Sequence, residues 1–153
     1  MDFTVITPTG DRKEPFELCK FFMSRQTIKP IKWLIIDDGI TYDVEANEFA
    51  FAKVIKRHRT ENTSFHTLPL QMKEAFKYVD TEYIIIMEDD DWYAPNYLEV
   101  MLSLFVDNNI KIVGQGYSIY YNPVVRKYYR HNNTINSSWC STGFRKELIP
   151  IIC

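Results

Sequence analysis

The sequence predicts an α/β fold in which a mostly parallel sheet is flanked by helices and followed by an antiparallel hairpin toward the C-terminus. Short apolar runs alternate with segments whose apolar residues recur every three or four positions, the usual order of strands and helices in such folds. Residues 33–36 and 83–87 are apolar at successive positions, which indicates strands buried on both faces. Beyond residue 110, the Asn122-Pro123 turn between tyrosine-rich segments predicts the hairpin.

The predicted elements follow one another in a regular order. Strands are predicted at residues 3–6, 33–36, 53–57 and 83–87. Helices are predicted to begin at about Pro15, Pro69 and Pro95, since proline suits the first helical position. The face of the first helix that would lie on the sheet carries Leu18, Cys19, Phe22 and Met23. The 153 residues fit a single domain.

Composition and charge indicate which partners the protein binds and in which cellular compartment it lies. Lysine and arginine number 18 against 20 acidic residues, so there is no basic field for nucleic acid, and none is expected as a partner. Cys19, Cys140 and Cys153 lack CxxC spacing and fit neither a disulfide framework nor a zinc site, which favours a reducing compartment. No secretory signal and no apolar run of about 20 residues is present, so a cytoplasmic protein without an integral membrane segment is expected. No oligomeric state is indicated.

Three predicted strands end in polar clusters, namely Thr7-Pro8-Thr9, Asp37-Asp38-Gly39 and Glu88-Asp89-Asp90-Asp91. The carboxyl ends of the strands in an open α/β sheet hold the ligand crevice. Four consecutive acidic side chains repel one another, and no lysine or arginine lies within or beside that run. A divalent cation such as Mn²⁺ or Mg²⁺ is therefore the expected counter-charge, and a solvated acidic loop before a helix is the alternative.

The Asp37-Asp38-Gly39 cluster has two interpretations. It could be a simple Asx-type turn in which the glycine takes a positive φ. It could instead present an acceptor carboxylate to a base N–H or a ribose hydroxyl, as acidic side chains do after strands in nucleotide-binding folds.

An ordered series of motifs resembles the family 2 glycosyltransferases of the GT-A fold. The series consists of Val5-Ile6-Thr7-Pro8-Thr9, Ser24-Arg25-Gln26-Thr27, Trp33-Leu34-Ile35-Ile36-Asp37-Asp38-Gly39, and Ile86-Met87-Glu88-Asp89-Asp90-Asp91-Trp92-Tyr93-Ala94-Pro95. Its order and spacing match across roughly residues 3–106, and the acidic run resembles the DxD element of the family. The resemblance implies a nucleotide-sugar donor, expected to be UDP-linked, a divalent metal (Mn²⁺ or Mg²⁺), and inverting transfer to the hydroxyl of a carbohydrate or another acceptor.

The resemblance also assigns residues to the donor and the metal. The positions implied for the nucleotide sugar are Thr7, Pro8, Thr9, Asp38, His66, Thr67 and Asp89. Asp38 would contact the uracil or ribose, Asp89 would approach the ribose or diphosphate, and Thr67 serves equally well as a simple helix cap. The metal ligand would be Asp90 or Asp91, because Glu88-x-Asp90 and Asp89-x-Asp91 both fit the motif.

The domain expected from the resemblance is a single GT-A domain over residues 1–153. Its nucleotide-sugar part would cover about 1–106, and residues 107–153 would begin the acceptor-binding part. The family's general base usually lies well beyond the DxD element, whereas the only acidic residue after Asp107 is Glu147, a weak candidate for the catalytic base. The chain is thus expected to be truncated at the acceptor side.

Three alternatives to efficient transfer by this chain stay open. The chain could be a fragment, another group could serve as the base, or the protein could be a catalytically impaired module that only binds a sugar nucleotide. A different chemical class, a metal-dependent nucleotidyl- or phosphotransferase, would use the same carboxylates for phosphoryl chemistry.

Overall fold

The computed structural model describes residues 1–59, 67–122 and 124–152, which build a central sheet with helices on both faces. The strands are β1 (Phe3–Thr9), β2 (Lys32–Asp37), β3 (Ala52–Lys56), β4 (Tyr83–Ile86), β5 (Ile112–Gly114), β6 (Tyr117–Asn122), β7 (Lys127–Asn132) and β8 (Thr142–Arg145). The helices are α1 (Lys13–Arg25), α2 (Leu68–Phe76), α3 (Tyr97–Ser103) and α4 (Ile149–Ile152), with 3₁₀ turns at Trp139–Ser141 and Lys146–Leu148.

The six-stranded sheet has the order β3-β2-β1-β4-β8-β5, and β6 and β7 form a separate hairpin. The first four strands are parallel to one another, while β8 is antiparallel to both β4 and β5. These findings confirm the predicted mostly parallel sheet and the antiparallel hairpin. The strand order reverses between β1 and β4, which makes their carboxyl ends the topological switch point of the sheet.

The sheet is buried on both faces, as the continuous apolar runs predicted. One hydrophobic cluster joins α1 and α3 to side chains such as Trp33 and Ile85. A second cluster on the opposite face joins α2 to Leu34, Ile84 and Phe144. Because successive residues of a strand point to opposite faces, an unbroken apolar strand can supply both clusters at once.

Two helices begin at other positions than the prolines indicated. Helix α1 begins at Lys13. Its buried face carries Cys19, Phe22 and Met23 as predicted, but the fourth buried residue is Phe16, whereas Leu18 is 47% exposed. Phe16, Cys19 and Met23 follow the three-and-four spacing of one helical face, and Leu18 falls off that face. Helix α3 begins at Tyr97, because the Pro95 carbonyl accepts a hydrogen bond from the Thr27 backbone N–H (2.8 Å) outside the helix.

The main sheet also gains two short strands, β5 and β8, from the C-terminal segment. The sequence indicated antiparallel strands or a hairpin there but no return to the main sheet. Strands of three or four residues carry too little periodicity to be recognised, and their place is set by pairing, since β8 pairs with β4 and β5 pairs with β8. Arg145 at the end of β8 is almost completely buried and forms an ion pair with Glu82.

No helix in the described parts of the chain combines the length and the apolar character that crossing a membrane requires.

Phe144 should be a strong determinant of stability, because it is fully buried and contacts Phe76 and Trp139 at ring-centroid distances of 6.0 and 5.7 Å. Phe144→Ala is expected to lower the free energy of unfolding by about 3–5 kcal/mol through lost burial and the cavity left behind. Phe21→Ala is the matched control, since Phe21 is 50% exposed, and should cost less than about 1 kcal/mol. Denaturant titration measures both, and equal losses would contradict the assignment of Phe144 to the core.

Candidate functional site

The polar clusters that follow β1, β2 and β4 meet at one edge of the sheet. At the switch point, the Thr9 hydroxyl at the end of β1 donates a hydrogen bond to Asp89 Oδ2 at 2.7 Å, and both side chains are buried. Thr9 pairs with Asp37 across the parallel β1 and β2 strands, so the second cluster lies directly beside the first. Parallel pairing thereby brings together segments that are far apart in the sequence.

Arg12 supplies part of the positive charge that the acidic run requires. Its Nη2 atom lies 2.5 Å from Asp89 Oδ1, and its Nη1 atom donates to Asp90 Oδ2 at 2.7 Å. Arg12 follows Asp11, whose carboxylate accepts hydrogen bonds from the backbone N–H groups of Ile40 and Thr41. Nothing in the sequence pattern indicated this arginine, because it lies 78 residues from Asp90 along the chain.

The other acidic side chains form a separate cluster with a cysteine. Glu88, Asp91 and Cys140 each offer a ligand atom, and these atoms lie within 4.8 Å of one another. All three side chains are intermediate in exposure, so a cation could reach them from solvent. Carboxylate oxygens suit Mg²⁺ or Mn²⁺, so the two carboxylates of this set fit the divalent metal implied by the resemblance. Of the two predicted metal ligands, Asp91 belongs to this cluster and Asp90 is paired with Arg12.

Two tyrosines hold this acidic loop in place. The Tyr93 hydroxyl accepts a hydrogen bond from the Glu88 backbone N–H at 2.7 Å and donates to the Cys140 carbonyl at 3.1 Å. The Tyr97 hydroxyl lies 2.9 Å from the Ile86 carbonyl and 3.1 Å from that of Cys140. Burial raises the pKa values of both phenols, which keeps them protonated as hydrogen-bond donors. The backbone around Glu88 and Cys140 is thus fixed before any ligand arrives.

Gln26, from the Ser24-Arg25-Gln26-Thr27 motif, fixes the far end of the same loop. Its side-chain amide donates to the Ala94 carbonyl at 2.9 Å and accepts from the Leu98 backbone N–H at 3.0 Å. The motif therefore joins the end of α1 to the beginning of α3 and does not itself face the acidic clusters.

The acidic clusters have perturbed protonation equilibria. The pKa of Glu88 is raised from 4.5 to about 7, first by burial and then by the negative charges of Asp91, Asp90 and Asp89. Burial likewise raises the pKa of Asp89, although the hydrogen bond from Thr9 and the charge of Arg12 oppose the shift. Burial, followed by a hydrogen bond to Asp91, raises the pKa of the Cys140 thiol. Burial is the largest cause of all three shifts, and a cation bound beside these groups would lower their pKa values.

The two aspartates after β2 have different surroundings. Asp37 makes the turn, because its Oδ1 accepts from the Gly39 backbone N–H at 2.8 Å and its Oδ2 lies 3.0 Å from Lys56 Nζ. Asp38 faces Arg59 (2.8 Å) and Arg57 (3.5 Å) and is 1% exposed. The turn interpretation thus applies to Asp37, and the ligand interpretation concerns Asp38.

Gly39 does not take the positive φ expected for it, since no described glycine does. Glycine is required here because the Asp11 backbone lies too close for a side chain: a Cβ at this position would lie 2.6 Å from the Asp11 backbone nitrogen. The loops after β1 and β2 therefore pack backbone against backbone.

The remaining predicted donor positions differ in what the structure places around them. Thr7 is fully buried, and its hydroxyl donates to the Met87 carbonyl (2.7 Å) and accepts from Trp33 Nε1 (2.9 Å). Pro8 is also buried within β1. Thr67 is the N-cap of α2 but makes no side-chain capping hydrogen bond, and His66 lies outside the described residues.

Gln71 is a buried residue of this edge that the sequence did not indicate. Its side-chain amide donates to the carbonyls of Thr9 (2.6 Å) and Ile36 (3.0 Å), so it ties α2 to the ends of β1 and β2. A glutamine within a helical pattern carries no signal that distinguishes this role from a solvent-exposed one.

Glu147, the weak candidate for the general base, lies away from the acidic clusters. Arg145 pairs with Tyr83 at the beginning of β4, and Glu147 follows it at that amino-terminal edge of the sheet. The Glu147 carboxylate is exposed and lies 2.8 Å from Lys111 Nζ. The antiparallel direction of β8 carries the chain to the opposite edge, which argues against Glu147 as a base for this site.

A cleft of about 590 Å³ opens beside the Glu88–Asp91–Cys140 cluster. It lies between α3 and the β6–β7 hairpin, with Asp91 and Cys140 on one wall and Ile119 and Tyr120 on the hairpin wall. A molecule bound in this cleft would contact both the acidic loop and the C-terminal segment.

The family model described as glycosyl transferase family 2 matches residues 4–152, which is nearly the whole chain. The chain belongs to this family. A search of curated proteins found no match.

Solved glycosyltransferase structures share the fold of this family 2 chain. Residues 1–349 of S. aureus TarS superpose with a TM-score of 0.69 at 16% identity, covering 99% of this chain and 49% of TarS. The mannosyltransferase PcManGT from Pyrobaculum calidifontis, in complex with GDP-Man and Mn²⁺, gives 0.66 at 14% identity, covering 98% and 46%. TarS 1–349 in complex with UDP-GlcNAc gives 0.65 at 14% identity, covering 99% and 47%. The likeness confirms the GT-A fold, and the chain spans about half the length of these structures.

The stability of the metal-free chain should depend on pH through Glu88. Folded Glu88 keeps its proton up to a pKa of about 7, whereas in the unfolded chain it ionises near 4.5. Between these values the folded state binds more protons, so the free energy of unfolding should fall by about 1–3 kcal/mol as the pH rises from about 4.5 to 7. Glu88→Gln should flatten this decline in denaturant titrations with a chelator present. An unchanged slope would contradict the buried-carboxylate assignment.

Proposed function

We propose that this family 2 chain forms the nucleotide-sugar-binding part of a glycosyltransferase. The donor is a UDP-linked sugar bound with Mn²⁺ or Mg²⁺, and the sugar passes to an acceptor hydroxyl with inversion. The observation that carries the proposal is that one sheet edge gathers an arginine-bound aspartate, Asp38, and a paired carboxylate cluster, Glu88 and Asp91. The first suits a nucleoside and the second suits a cation on a diphosphate.

Asp38 is the residue that we assign to the base or ribose. Its Oδ2 atom is buried and has no hydrogen-bond partner among the described residues, although Arg57 Nη1 lies 3.5 Å away. A buried carboxylate oxygen without a partner would be stabilised by accepting a hydrogen bond from a base N–H or a ribose hydroxyl. The lack of a side chain at Gly10 leaves room for the Asp38 carboxylate, since a Cβ there would lie 2.4 Å from Asp38 Oδ1. UDP as the nucleotide follows the resemblance and the S. aureus TarS structures with UDP and UDP-GlcNAc.

Asp91, with Glu88 beside it, is the residue that we assign to the metal. Asp90 is the less suitable ligand because its carboxylate is already paired with Arg12. When bound, the cation supplies Lewis-acid chemistry that neutralises charge growing on the departing nucleoside diphosphate. The Mn²⁺ complex of PcManGT supports a divalent metal in this fold.

Arg12 is the residue of the chain suited to hold the diphosphate itself. Asp89, which Thr9 holds by a hydrogen bond, positions the Arg12 guanidinium at the switch point. Arg12 is 44% exposed, so its free donors can bind phosphate oxygens while the contact with Asp89 persists. A guanidinium matches phosphate geometry through parallel N–H donors.

The cleft between α3 and the β6–β7 hairpin is the place that we assign to the acceptor. Residues 107–153 contribute the hairpin wall and Cys140, which agrees with their predicted role as the beginning of the acceptor-binding part. Inversion requires the acceptor hydroxyl to attack the anomeric carbon on the face opposite to the departing diphosphate. A cleft that adjoins Asp91 and Cys140 but is not lined by Asp38 permits that arrangement.

The assignment of the metal to Asp91 predicts different outcomes for two neighbouring aspartates. Calorimetric titration with UDP should show that Mn²⁺ increases affinity, and Asp91→Asn should reduce that increase by at least about tenfold. Asp90→Asn should retain most of the Mn²⁺ effect, because Asp90 contacts Arg12. Both variants replace aspartate by the isosteric asparagine, so they differ from the unmodified chain by the same change in size and charge. If the Mn²⁺ effect disappears only in Asp90→Asn, the ligand assignment is wrong.

A second candidate function is a module that binds a sugar nucleotide without transferring it. The position of Glu147 favours it, because this residue lies at the opposite edge of the sheet and is the only acidic residue after Asp107. An inverting transferase needs a base within hydrogen-bond reach of the acceptor hydroxyl.

Donor turnover separates the two candidates. With UDP-GlcNAc or GDP-Man and Mn²⁺, the transferase should release nucleoside diphosphate faster than a protein-free control, and Asp91→Asn should abolish this release. Donor binding without release, with and without a panel of hydroxyl acceptors, would establish the binding module. Glu147→Gln should leave turnover unchanged, since Glu147 does not face the site.

A further inference from the structure

We propose that Cys140 is a third ligand of the cation held by Glu88 and Asp91, so that the site is a mixed carboxylate–thiolate centre that prefers Zn²⁺ and Co²⁺ to Mg²⁺. The inference rests on the metal role assigned to Glu88 and Asp91 in the proposed function. Neither the predicted DxD ligands nor the cysteine spacing indicated a thiol at this position.

The first argument is geometric. The Cys140 Sγ atom and one carboxylate oxygen from each of Glu88 and Asp91 all lie within 4.8 Å of one another. Zn–S and Zn–O bonds of usual length, set at a tetrahedral angle, place two such ligand atoms roughly 3.6 Å apart. Side-chain movements of about 1 Å would therefore bring the three ligand atoms to bonding distance of one ion. The three ligands leave a fourth position for a water molecule or a diphosphate oxygen.

The second argument is that Cys140 is held at this position from its own backbone. Its carbonyl lies 3.1 Å from each of the hydroxyls of Tyr93 and Tyr97, and the Tyr93 hydroxyl also binds the Glu88 backbone N–H. The same two phenols thus fix the backbones of two of the three ligands. The tight 3₁₀ turn Trp139–Ser141 restricts the remaining freedom of the cysteine. Such preorganisation favours binding because less conformational entropy is lost.

The third argument is the chemistry of the donor atoms. Mg²⁺ binds hard oxygen ligands and gains little from sulfur, whereas thiolate ligands favour Zn²⁺ and other late first-row ions. When Cys140 binds the ion, its S–H bond breaks heterolytically, the proton passes to solvent, and the sulfur electron pair forms the bond to the metal. No change of oxidation state is involved. The two carboxylates alone would produce no such preference.

The direct test is a Co²⁺ titration of the complete chain followed by absorption spectroscopy. Thiolate coordination should produce a sulfur-to-Co²⁺ charge-transfer band in the near ultraviolet that saturates at one ion per chain. Cys140→Ser should abolish the band and weaken Zn²⁺ binding by at least about tenfold, while Mg²⁺ binding should change by less than about threefold. Circular dichroism checks that each variant is folded.

Matched controls assign the band to one thiol. Cys19 lies on the inward face of α1 and is fully buried in the core, so Cys19→Ala should keep the band, and Cys153→Ser should keep it too. Asp91→Asn should weaken Co²⁺ binding at the same site. A band that persists in Cys140→Ser, or that disappears in either control, would overturn the proposal.

The spectrum separates a failure of this inference from a failure of the proposed function. Stoichiometric Co²⁺ binding with visible absorption but without the charge-transfer band would overturn the assignment of Cys140 as a ligand and leave the assignment of the carboxylates unchanged. Absence of any cation binding would overturn the thiol ligand and the metal assignment together. Titration with UDP-GlcNAc in a chelating buffer tests the nucleotide assignment independently of both. If Cys140→Ser does not fold, the spectrum of the unmodified chain still decides whether sulfur is a ligand.

Discussion

The parallel pairing of β1 with β2 on one side and β4 on the other is the constraint on which the site depends. It aligns three strand ends at one edge, so that Thr9 lies next to Asp37 across one pair and hydrogen-bonds Asp89 across the other. Gln71 strengthens the same edge by donating to the carbonyls at the ends of β1 and β2. Without this pairing the carboxylates that we propose for the nucleoside and for the metal would have no common location.

Charge compensation divides the acidic run into two functional halves. Asp89 and Asp90 both pair with Arg12, whose single positive charge offsets part of their negative charge, and the buried Asp89 also accepts a hydrogen bond from Thr9. Glu88 and Asp91 have each other and Cys140 as neighbours, and the pKa of Glu88 is raised first by burial and then by the negative charges of the three aspartates. One short run of like charges thus has two different environments, because the inner pair, Asp89 and Asp90, faces Arg12, whereas the outer pair, Glu88 and Asp91, faces Cys140 and is the pair that we propose for a cation.

Aromatic side chains connect this electrostatic arrangement to the core. Tyr93 and Tyr97 pack against each other at a ring-centroid distance of 4.7 Å, and their hydroxyls reach the backbones of Glu88 and Cys140. Their apolar rings contribute to the core beneath α3, while their polar ends fix the loop. The acidic motif of this family 2 chain is therefore supported by packing as well as by hydrogen bonds, and a cation would enter a loop whose backbone is already positioned.

The sequence by itself determined the fold class, the strands that carry the clusters, and the edge at which they meet. Continuous apolar runs can only be buried on both faces, and residues such as Asp38 and Asp91 follow those runs directly. Only the tertiary structure decided which aspartate faces Arg12, that Cys140 joins Glu88 and Asp91, and that Glu147 lies at the opposite edge. The reason is physical: apolar periodicity is a local property, whereas the partner of a charged side chain depends on strand direction and loop packing between segments far apart in the chain.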